Sequence, residues 1–381
     1  MIFGFGEKTS HTEGYRPRHA RPTAPRRAWR ALTRDRRVII AVASAVLIGC
    51  LAVPLSLISD VEANPTLVSK SVVKQIPALS HTDDAATQNA AAPYGGATET
   101  VPVFSGAYPF DSTYNPHPSV LPGQMRNIEI TAANGVHRRY LLHVGKNYRP
   151  ERPAPSPVLF AFAGWRVDPE HFARESKFAE GEAGNDALIV FPAGRENSWE
   201  GAPYSAAAPG EDIAFVKQIL EAIDRDYLID RTRVYAAGMS NGGGMAAILG
   251  CHAPDVFAGI ASVSSAYYLP VTAGCKGKPV PTLDIHGTVD HVVGYEGGHR
   301  HGVPYHSVPH YLAVVSQRNG CIPEKPTQLK IGDVEIERFN GCAAETEHMR
   351  VLGQGHVWNR APDASAAAWN FFESPAFIKA L

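Results

Sequence analysis

The chain has 381 residues, of which 44% are hydrophobic and 19% are charged, and its formal net charge at pH 7 is −1. This composition is ordinary for a globular protein. The charge is unevenly spread, since residues 1–63 hold ten Lys or Arg against five Asp or Glu. The remainder is therefore mildly acidic, which argues against nucleic-acid binding as a function of the folded part.

An arginine-rich N-terminus precedes an uncharged stretch at residues 38–59. That stretch is long enough to span a bilayer once. The basic residues before it predict that residues 1–37 stay in the cytoplasm while the rest is exported. Three outcomes are open: retention as a signal anchor, cleavage after residues 61–63, whose small residues suit a signal peptidase, or lipidation at Cys50. Apolar residues continue past Cys50, and the span exceeds a usual signal-peptide core, which favours an anchor in the membrane.

Residues 60–105 are rich in Ala, Thr, Ser and Pro and are predicted to form a polar linker. One folded domain is predicted over residues 106–381. Two strands flank the turn signal Asn134-Gly135, and apolar runs of strand length then alternate with helical segments. That alternation predicts an α/β fold with a mostly parallel, doubly wound sheet. Strands are expected at 127–131, 136–144, 158–162, 188–191, 233–237, 260–264 and 282–286, and helices at 169–180, 211–226, 243–250 and 364–381.

The most informative motif is Gly238-Met239-Ser240-Asn241-Gly242, which fits the Gly-x-Ser-x-Gly pattern of a nucleophile elbow. A predicted strand precedes it and a predicted helix follows it. A sharp turn between the two would hold the serine Oγ up at the carboxyl edge of the sheet. Glycines flank the serine because a strained backbone leaves no room for Cβ atoms. The motif therefore predicts that Ser240 is a catalytic nucleophile.

A nucleophilic serine needs a base and an orienting acid, and this motif class places them in the chain order serine, acid, histidine. Asp290 follows a predicted strand directly, where catalytic groups at a sheet edge belong. His356 has glycine beside it and comes after the last predicted strand. Asp284 lies inside its strand and is interpreted as structural. The predicted triad is therefore Ser240, Asp290 and His356.

With these segments in view, the chain resembles the secreted esterases grouped as polyhydroxybutyrate (PHB) depolymerase-like, feruloyl esterase and acetylxylan esterase, which form carbohydrate esterase family one. The resemblance covers roughly residues 125–360. It implies an α/β-hydrolase fold, the same Ser-Asp-His triad, and chemistry that needs no cofactor. The matching segments are 191–199, 211–216, the Ser240 elbow, 251–257, 286–290 and 355–356.

The resemblance also implies roles for residues near the nucleophile. Many family members carry His-Gly after the first central strand, where this chain has Ala163-Gly164. Because an oxyanion hole uses backbone N–H groups, its donors are assigned to Asn241 and Trp165. Trp199 stands in an Asn-Ser-Trp setting that matches the family and is expected to bind substrate.

Four cysteines follow Cys50 in the predicted exported domain. An even number in an oxidising compartment suggests two disulfides, and four cysteines allow three pairings. Zinc is the alternative, but no Cys-x-x-Cys spacing occurs. Nearness in sequence and the family resemblance favour the pairs Cys251–Cys275 and Cys321–Cys342. The six histidines between residues 286 and 310 lie in a glycine-rich stretch, which is interpreted as a loop beside the active site rather than a metal site.

Together these features predict an exported serine carboxylesterase with no metal and no cofactor. Its partner would be a small-molecule or saccharide ester. The elbow variant with Met239 and Asn241 resembles the feruloyl and acetylxylan branch, which favours small soluble esters of the short-chain acyl or hydroxycinnamoyl type. Three alternatives stay open: a PHB-type polyester hydrolase, a serine peptidase or acyltransferase on the same fold, and a membrane-tethered binding protein on an inactive scaffold.

Overall fold

The computed structural model describes residues 118–151, 154–275, 277–358 and 360–374. The predicted cytoplasmic segment, the apolar stretch 38–59 with Cys50, and the linker 60–105 all lie outside these residues. Within the described ranges, no helix is long and apolar enough to cross a membrane.

A ten-stranded sheet forms the centre of the described part, in the order β1-β2-β4-β3-β5-β6-β7-β12-β11-β10. The six strands from β4 to β12 in that order run parallel, and two antiparallel strands extend the sheet at each end. This confirms the predicted mostly parallel sheet. The sheet strands are β1 (Met125–Thr131), β2 (His137–His143), β3 (Ser156–Phe162), β4 (Leu188–Pro192), β5 (Ile229–Met239), β6 (Gly259–Val263), β7 (Thr282–Gly287), β10 (Thr327–Ile331), β11 (Val334–Arg338) and β12 (Thr346–Val351), while β8 (Gly298–Arg300) and β9 (Val303–Tyr305) pair as a separate ribbon.

Helices cover both faces of the sheet, which is why β3, β4 and β6 are buried along their whole length. Apolar residues of α3, α4 and α6 pack on one face, and those of α1 and α7 pack on the other. The helices are α1 (Pro169–Ser176), α2 (Ala183–Asp186), α3 (Glu211–Asp226), α4 (Asn241–His252), α5 (Leu269–Thr272), α6 (Val308–Arg318) and α7 (Ala364–Phe372).

The predicted elements are all present, with shifts at their ends. Helix α1 ends at Ser176 rather than residue 180, because Lys177 adopts a left-handed backbone with φ 58°. Helix α7 ends at Phe372, and residues 375–381 of the predicted final helix lie outside the described ranges. The short helices α2 and α5, the β8–β9 ribbon, α6 and the β10–β11 hairpin were not predicted. All five residues of β10 are exposed, so no alternation of buried and exposed positions marks it as a strand.

Parallel strands bring their carboxyl ends to one edge of the sheet, where α/β proteins usually bind ligands. Strands β5, β7 and β12 all end at this edge, and each is followed by one member of the predicted triad. The fold therefore collects at one edge three residues that are 50 or more positions apart in the sequence.

Candidate active site

Ser240 sits on a sharp turn between β5 and α4, with φ 56° and ψ −120°. A positive φ is costly for a residue with a side chain, and such strain is typical of functional turns. Glycine is required on both sides of it. A Cβ on Gly238 would lie 2.3 Å from the carbonyl oxygen of Gly242, and one on Gly242 would lie 2.2 Å from that of Phe162. The backbone geometry is thus that of the predicted elbow.

Hydrogen bonds hold this strained turn in place. The Ser240 N–H donates to the carbonyl oxygen of Val263 at 2.9 Å, at the end of β6. The Ser240 carbonyl oxygen accepts from Gly244 N at 3.0 Å and from Ala266 N at 3.1 Å. Because the neighbouring strand end and α4 both hold the backbone, the turn keeps its conformation without a bound ligand.

Asp290 and His356 form a close pair. His356 Nδ1 lies 2.7 Å from Asp290 Oδ2, and the N–H groups of Val292 and Val293 each donate to Asp290 Oδ1 at 2.8 Å. Burial raises the pKa of the Asp290 carboxyl, but hydrogen bonding with His286 and His356 outweighs burial and holds the pKa below its ordinary range. An ionised Asp290 favours the proton on Nδ1 of His356, which leaves Nε2 free to accept a proton.

A second histidine contacts the same carboxylate. From the sequence it was interpreted only as one of six histidines in a loop, but it lies in strand β7. His286, at the end of β7, is fully buried, and its Nε2 lies 2.9 Å from the carbonyl oxygen of Val293 and 3.4 Å from Asp290 Oδ2. A carbonyl oxygen only accepts, so this nitrogen carries the proton. His286 therefore links the acid to the loop that follows it. The signal for this contact that was available in the sequence is the position of His286, four residues before Asp290.

Ser240 and His356 line one cavity of about 350 Å³ at the carboxyl edge of the sheet. Asp290 is buried behind it, with no exposed side-chain surface, whereas the His356 side chain is 16% exposed. One wall of the cavity is aromatic, because the Trp165 ring stacks on Tyr204 at 4.3 Å and both rings contact His301 edge-on. The other lining residues include His171 and Glu175 from α1, Tyr268, Val292, Val293 and Arg300.

The two assigned oxyanion donors lie beside the nucleophile. Asn241 is the first residue of α4, and a Cβ on Gly164, which precedes Trp165, would lie 3.5 Å from Ser240 Cβ. Within the described part of the chain, neither the Asn241 N–H nor the Trp165 N–H donates to another protein group. Two such free N–H groups near a serine are suited to a developing oxyanion.

Trp199 does not occupy the place expected of a substrate-binding residue. Its side chain is 1% exposed and does not line the cavity. Instead its indole N–H donates to the carbonyl oxygen of Ala163 at 2.9 Å, and its ring packs edge-on against Phe162. The Asn241 side chain accepts from Trp199 N at 2.8 Å and donates to Trp199 O at 3.3 Å. Trp199 thus ties the strand before Gly164 to the start of α4.

The other singled-out residues lie away from the cavity. The disulfides Cys251–Cys275 and Cys321–Cys342 are both present, which confirms the pairings favoured from the sequence. Asp284 is fully buried, lies 2.7 Å from His348 of β12, and accepts a hydrogen bond from the Tyr267 hydroxyl. In the ranges that the structure describes, no group of three or more His, Cys, Asp or Glu side chains is arranged to hold a metal ion.

Comparisons with known proteins indicate the family and the fold. Residues 193–294 match the family model described as Esterase PHB depolymerase. The probable feruloyl esterase C of Aspergillus flavus is 31% identical over 263 residues, which cover 64% of this chain and 87% of that protein. Feruloyl esterase C of Emericella nidulans is 29% identical over 264 residues, with the same coverage. The solved acetyl xylan esterase from Aspergillus awamori superposes with a TM-score of 0.50 at 12% identity, over 65% of this chain and 99% of that one. This last match confirms the predicted α/β-hydrolase fold.

Proposed function

The chain belongs to the esterase family of the PHB depolymerases and feruloyl esterases, and we propose that it is an exported serine carboxylesterase that hydrolyses small soluble esters. That it is a carboxylic ester hydrolase follows from its relatives. Beyond that activity, we propose the serine mechanism, the export and the preference for small substrates. One observation carries the mechanism: the His356–Asp290 pair at 2.7 Å, with His356 in the same cavity as Ser240.

The proposed reaction proceeds through an acyl-enzyme. Ser240 Oγ attacks the ester carbonyl carbon while His356 Nε2 takes the hydroxyl proton. The oxyanion accepts hydrogen bonds from the N–H groups of Asn241 and Trp165. His356 then passes the proton to the leaving alkoxide, and the ionised Asp290 stabilises the charged imidazole in between. Water, activated by His356, attacks the acyl-enzyme and releases the acid and the free serine.

The size of the cavity supports small substrates. A volume of about 350 Å³ lies at the lower end of the roughly 300–1,000 Å³ typical of small-molecule sites. Its aromatic wall of Trp165 and Tyr204 offers flat apolar surface to a short acyl chain or a planar hydroxycinnamoyl group. A polymer chain in a crystal would have to leave its lattice to enter such a cavity.

The two disulfides support export. Disulfides persist in oxidising compartments and are rare in the cytosol. The predicted topology gives the same result, with residues 1–37 inside, residues 38–59 in or through the membrane, and the linker 60–105 leading to the esterase domain 106–381. A catalytic domain outside the membrane would meet extracellular or cell-surface esters.

A substrate panel tests the proposal. We expect the purified chain to hydrolyse p-nitrophenyl acetate, methyl ferulate or an acetylated sugar quickly and PHB granules slowly. Ser240→Ala should be inactive on all of them and should lose labelling by a fluorophosphonate probe. Rapid clearing of granules with slow turnover of the soluble esters would favour the polyester hydrolase, and faster cleavage of peptide amides would favour the peptidase. Full activity in folded Ser240→Ala would exclude the serine mechanism.

A further inference from the structure

Arg300 is a cation in the active-site cavity that has no acidic partner in the described part of the chain. It ends β8 and lines the same cavity as Ser240. Its Nη1 donates to the carbonyl oxygen of Val292 at 3.1 Å, which leaves most of its guanidinium N–H groups uncommitted. Seven other arginines do form ion pairs with carboxylates: Arg138, Arg139, Arg195, Arg231, Arg233, Arg338 and Arg350.

The groups around Arg300 are neutral aromatic side chains rather than acids. Tyr204, Tyr268 and His301 line the same cavity as Arg300. Burial raises the pKa of both tyrosines, against the opposing positive charge of Arg300. Burial and the charges of Arg300 and Arg166 lower the pKa of His301, which disfavours its charged form. The single carboxylate among the lining residues, Glu175, forms no ion pair with Arg300.

The ribbon that carries Arg300 is held firmly to the rest of the site. Tyr305 of β9 forms a backbone bridge with Tyr268, and its hydroxyl accepts from Gly294 N at 2.9 Å. The next residue, His306, donates its N–H to the carbonyl oxygen of Tyr267 at 2.8 Å. The backbone of the ribbon that carries Arg300 therefore needs little reordering when a ligand binds, which limits the entropy lost on binding.

We propose that Arg300 binds a carboxylate of the substrate, so that the preferred esters carry a free carboxylate in addition to the ester that is cleaved. A guanidinium presents parallel N–H donors that match a carboxylate. The partly buried, aromatic surroundings strengthen that attraction relative to open solvent. The proposal rests on the proposed esterase function, because it names a substrate class for the same cavity. The carboxylate belongs to either the acyl part or the alcohol part, and two arms of the experiment distinguish them.

A purely structural role for Arg300 predicts a different result. Its bond to Val292 holds the loop whose N–H groups donate to Asp290. Loss of that bond would slow every ester, charged or neutral, by a similar factor. The ratio of activity on an anionic ester to activity on its neutral counterpart is insensitive to such a general loss, and it is therefore the quantity to measure.

The experiment compares matched esters on four proteins. The acyl arm uses monomethyl adipate against dimethyl adipate, and the alcohol arm uses para-acetoxybenzoate against its methyl ester. Each kcat/KM is divided by the rate of alkaline hydrolysis of the same ester, to remove intrinsic reactivity. The proteins are the native chain, Arg300→Gln, Arg300→Lys, and the control Arg126→Gln, which removes the same charge from an exposed position on β1.

We expect the native chain to prefer the anionic ester in at least one arm. Arg300→Gln should lower that preference about ten-fold or more, as for a lost charge-assisted hydrogen bond. Arg300→Lys should keep part of the preference and Arg126→Gln all of it, and added salt should weaken it in the native chain. No preference in either arm, or an unchanged ratio in Arg300→Gln, would overturn the proposal while leaving the esterase function intact. Inactivity of the native chain on all four esters, and on the soluble esters of the panel, would instead count against the proposed function.

Discussion

The three side chains proposed for catalysis are predicted to act as one unit, so their removal should have similar effects. Ser240→Ala, Asp290→Asn and His356→Ala are each expected to lower kcat for ester hydrolysis by roughly three to six orders of magnitude, because the triad works as a unit. The measurement is steady-state turnover of p-nitrophenyl acetate. Ser316→Ala, which removes an equivalent hydroxyl from α6, outside the cavity, is the matched control.

Each variant must keep its fold for that comparison to count. Circular dichroism and the urea midpoint should match those of the native chain for Ser240→Ala, since Ser240 Oγ makes no hydrogen bond with the described residues. A folded Ser240→Ala with native turnover would refute the role of the serine. Equal turnover in all three variants and the control would refute the triad as a whole.

Glu200 is a buried carboxyl whose ionisation should make stability depend on pH. Its side chain is 1% exposed, and burial together with the nearby Asp212 raises its pKa to about 8. Glu200 N donates to Asp212 Oδ2 and Asp212 N donates to Glu200 Oε2, so the two acids are held together. A pKa raised by folding means that the folded state binds the proton more tightly than the unfolded state. Its stabilising effect is full below the ordinary pKa of Glu and is lost as pH rises through about 8.

We therefore expect the free energy of unfolding to fall between about pH 5 and about pH 9 by a few kcal/mol on account of Glu200, given about 1.4 kcal/mol for each unit of pKa shift. Glu200→Gln keeps the shape without the titration and should flatten this part of the profile. The readout is the urea midpoint at both pH values. Glu324→Gln, on an exposed loop, is the control and should leave the slope as it is. An equally steep slope in Glu200→Gln would show that other groups cause it.

At the scale of elements, the Cys321–Cys342 disulfide closes a loop around the exposed β10–β11 hairpin. Neither cysteine lines the active-site cavity. The double variant Cys321→Ser and Cys342→Ser is expected to lower the free energy of unfolding by roughly 2–4 kcal/mol. It should keep its kcat/KM on small esters. Urea unfolding and ester turnover on the same preparation test both parts.

Free thiols provide the complementary measurement. The unreduced, denatured native chain should show no labelling at the four cysteines of the folded domain, because both pairs are bridged. Quantitative labelling at those positions would exclude the disulfides. A double variant as stable as the native chain would show that the Cys321–Cys342 disulfide contributes nothing to the free energy of global unfolding.

The sequence predicted most of the elements because local patterns determine them. Helix α3 was placed with both ends correct, since Ile213, Val216, Leu220 and Ile223 recur at helical spacing. The β10–β11 hairpin was not predicted. All five residues of β10 are exposed and most of β11 is half-buried, so neither strand forms the buried apolar run that marked the central strands. Secondary structure can be predicted where an element is buried, because apolar residues then recur along the sequence with the period of that element. A strand that is held mainly by the adjacent strands of the sheet gives a weaker signal.

The candidate site was predictable to the same degree. Ser240, Asp290 and His356 were assigned from glycine-flanked turns and strand ends, which leave a local signature, and their catalytic role stays a prediction. His286 and Arg300 were not assigned, because their significance depends on contacts with loops that the fold brings to them. Trp199 was misplaced for the same reason: its partners Ala163 and Asn241 are about forty positions away on either side. The spacing of residues in a local motif predicts a nucleophile. The residues that line a pocket can be identified only from the three-dimensional structure, because they come from distant parts of the sequence.

At the scale of the whole molecule, the sheet provides both a stable framework and the edge at which the proposed catalytic residues lie. Helices cover both faces of the six parallel strands, of which β3, β4 and β6 are buried along their whole length, and the proposed catalytic residues follow the carboxyl ends of three of the six. The disulfides lie outside the cavity, so they stabilise the domain without constraining the chemistry. Disulfides of this kind form and persist in oxidising compartments.

Export of this domain is the remaining prediction. Residues 38–59 hold no charge, and nine arginines precede them against a total of three acidic residues in residues 1–37. Basic residues before an apolar segment keep the N-terminus inside the cell, so the domain after it should be carried out.

A reporter that is active only in the cytoplasm, fused after residue 105, should give no signal. A reporter that is active only outside, fused at the same position, should give a strong one. Replacing five of the arginines by Gln should weaken this bias, whereas Lys70→Gln and Lys74→Gln in the linker, which the fusion also contains, should not. A bright cytoplasmic reporter in the native fusion would reverse the topology, and it would leave the two disulfides without the oxidising environment that supports them.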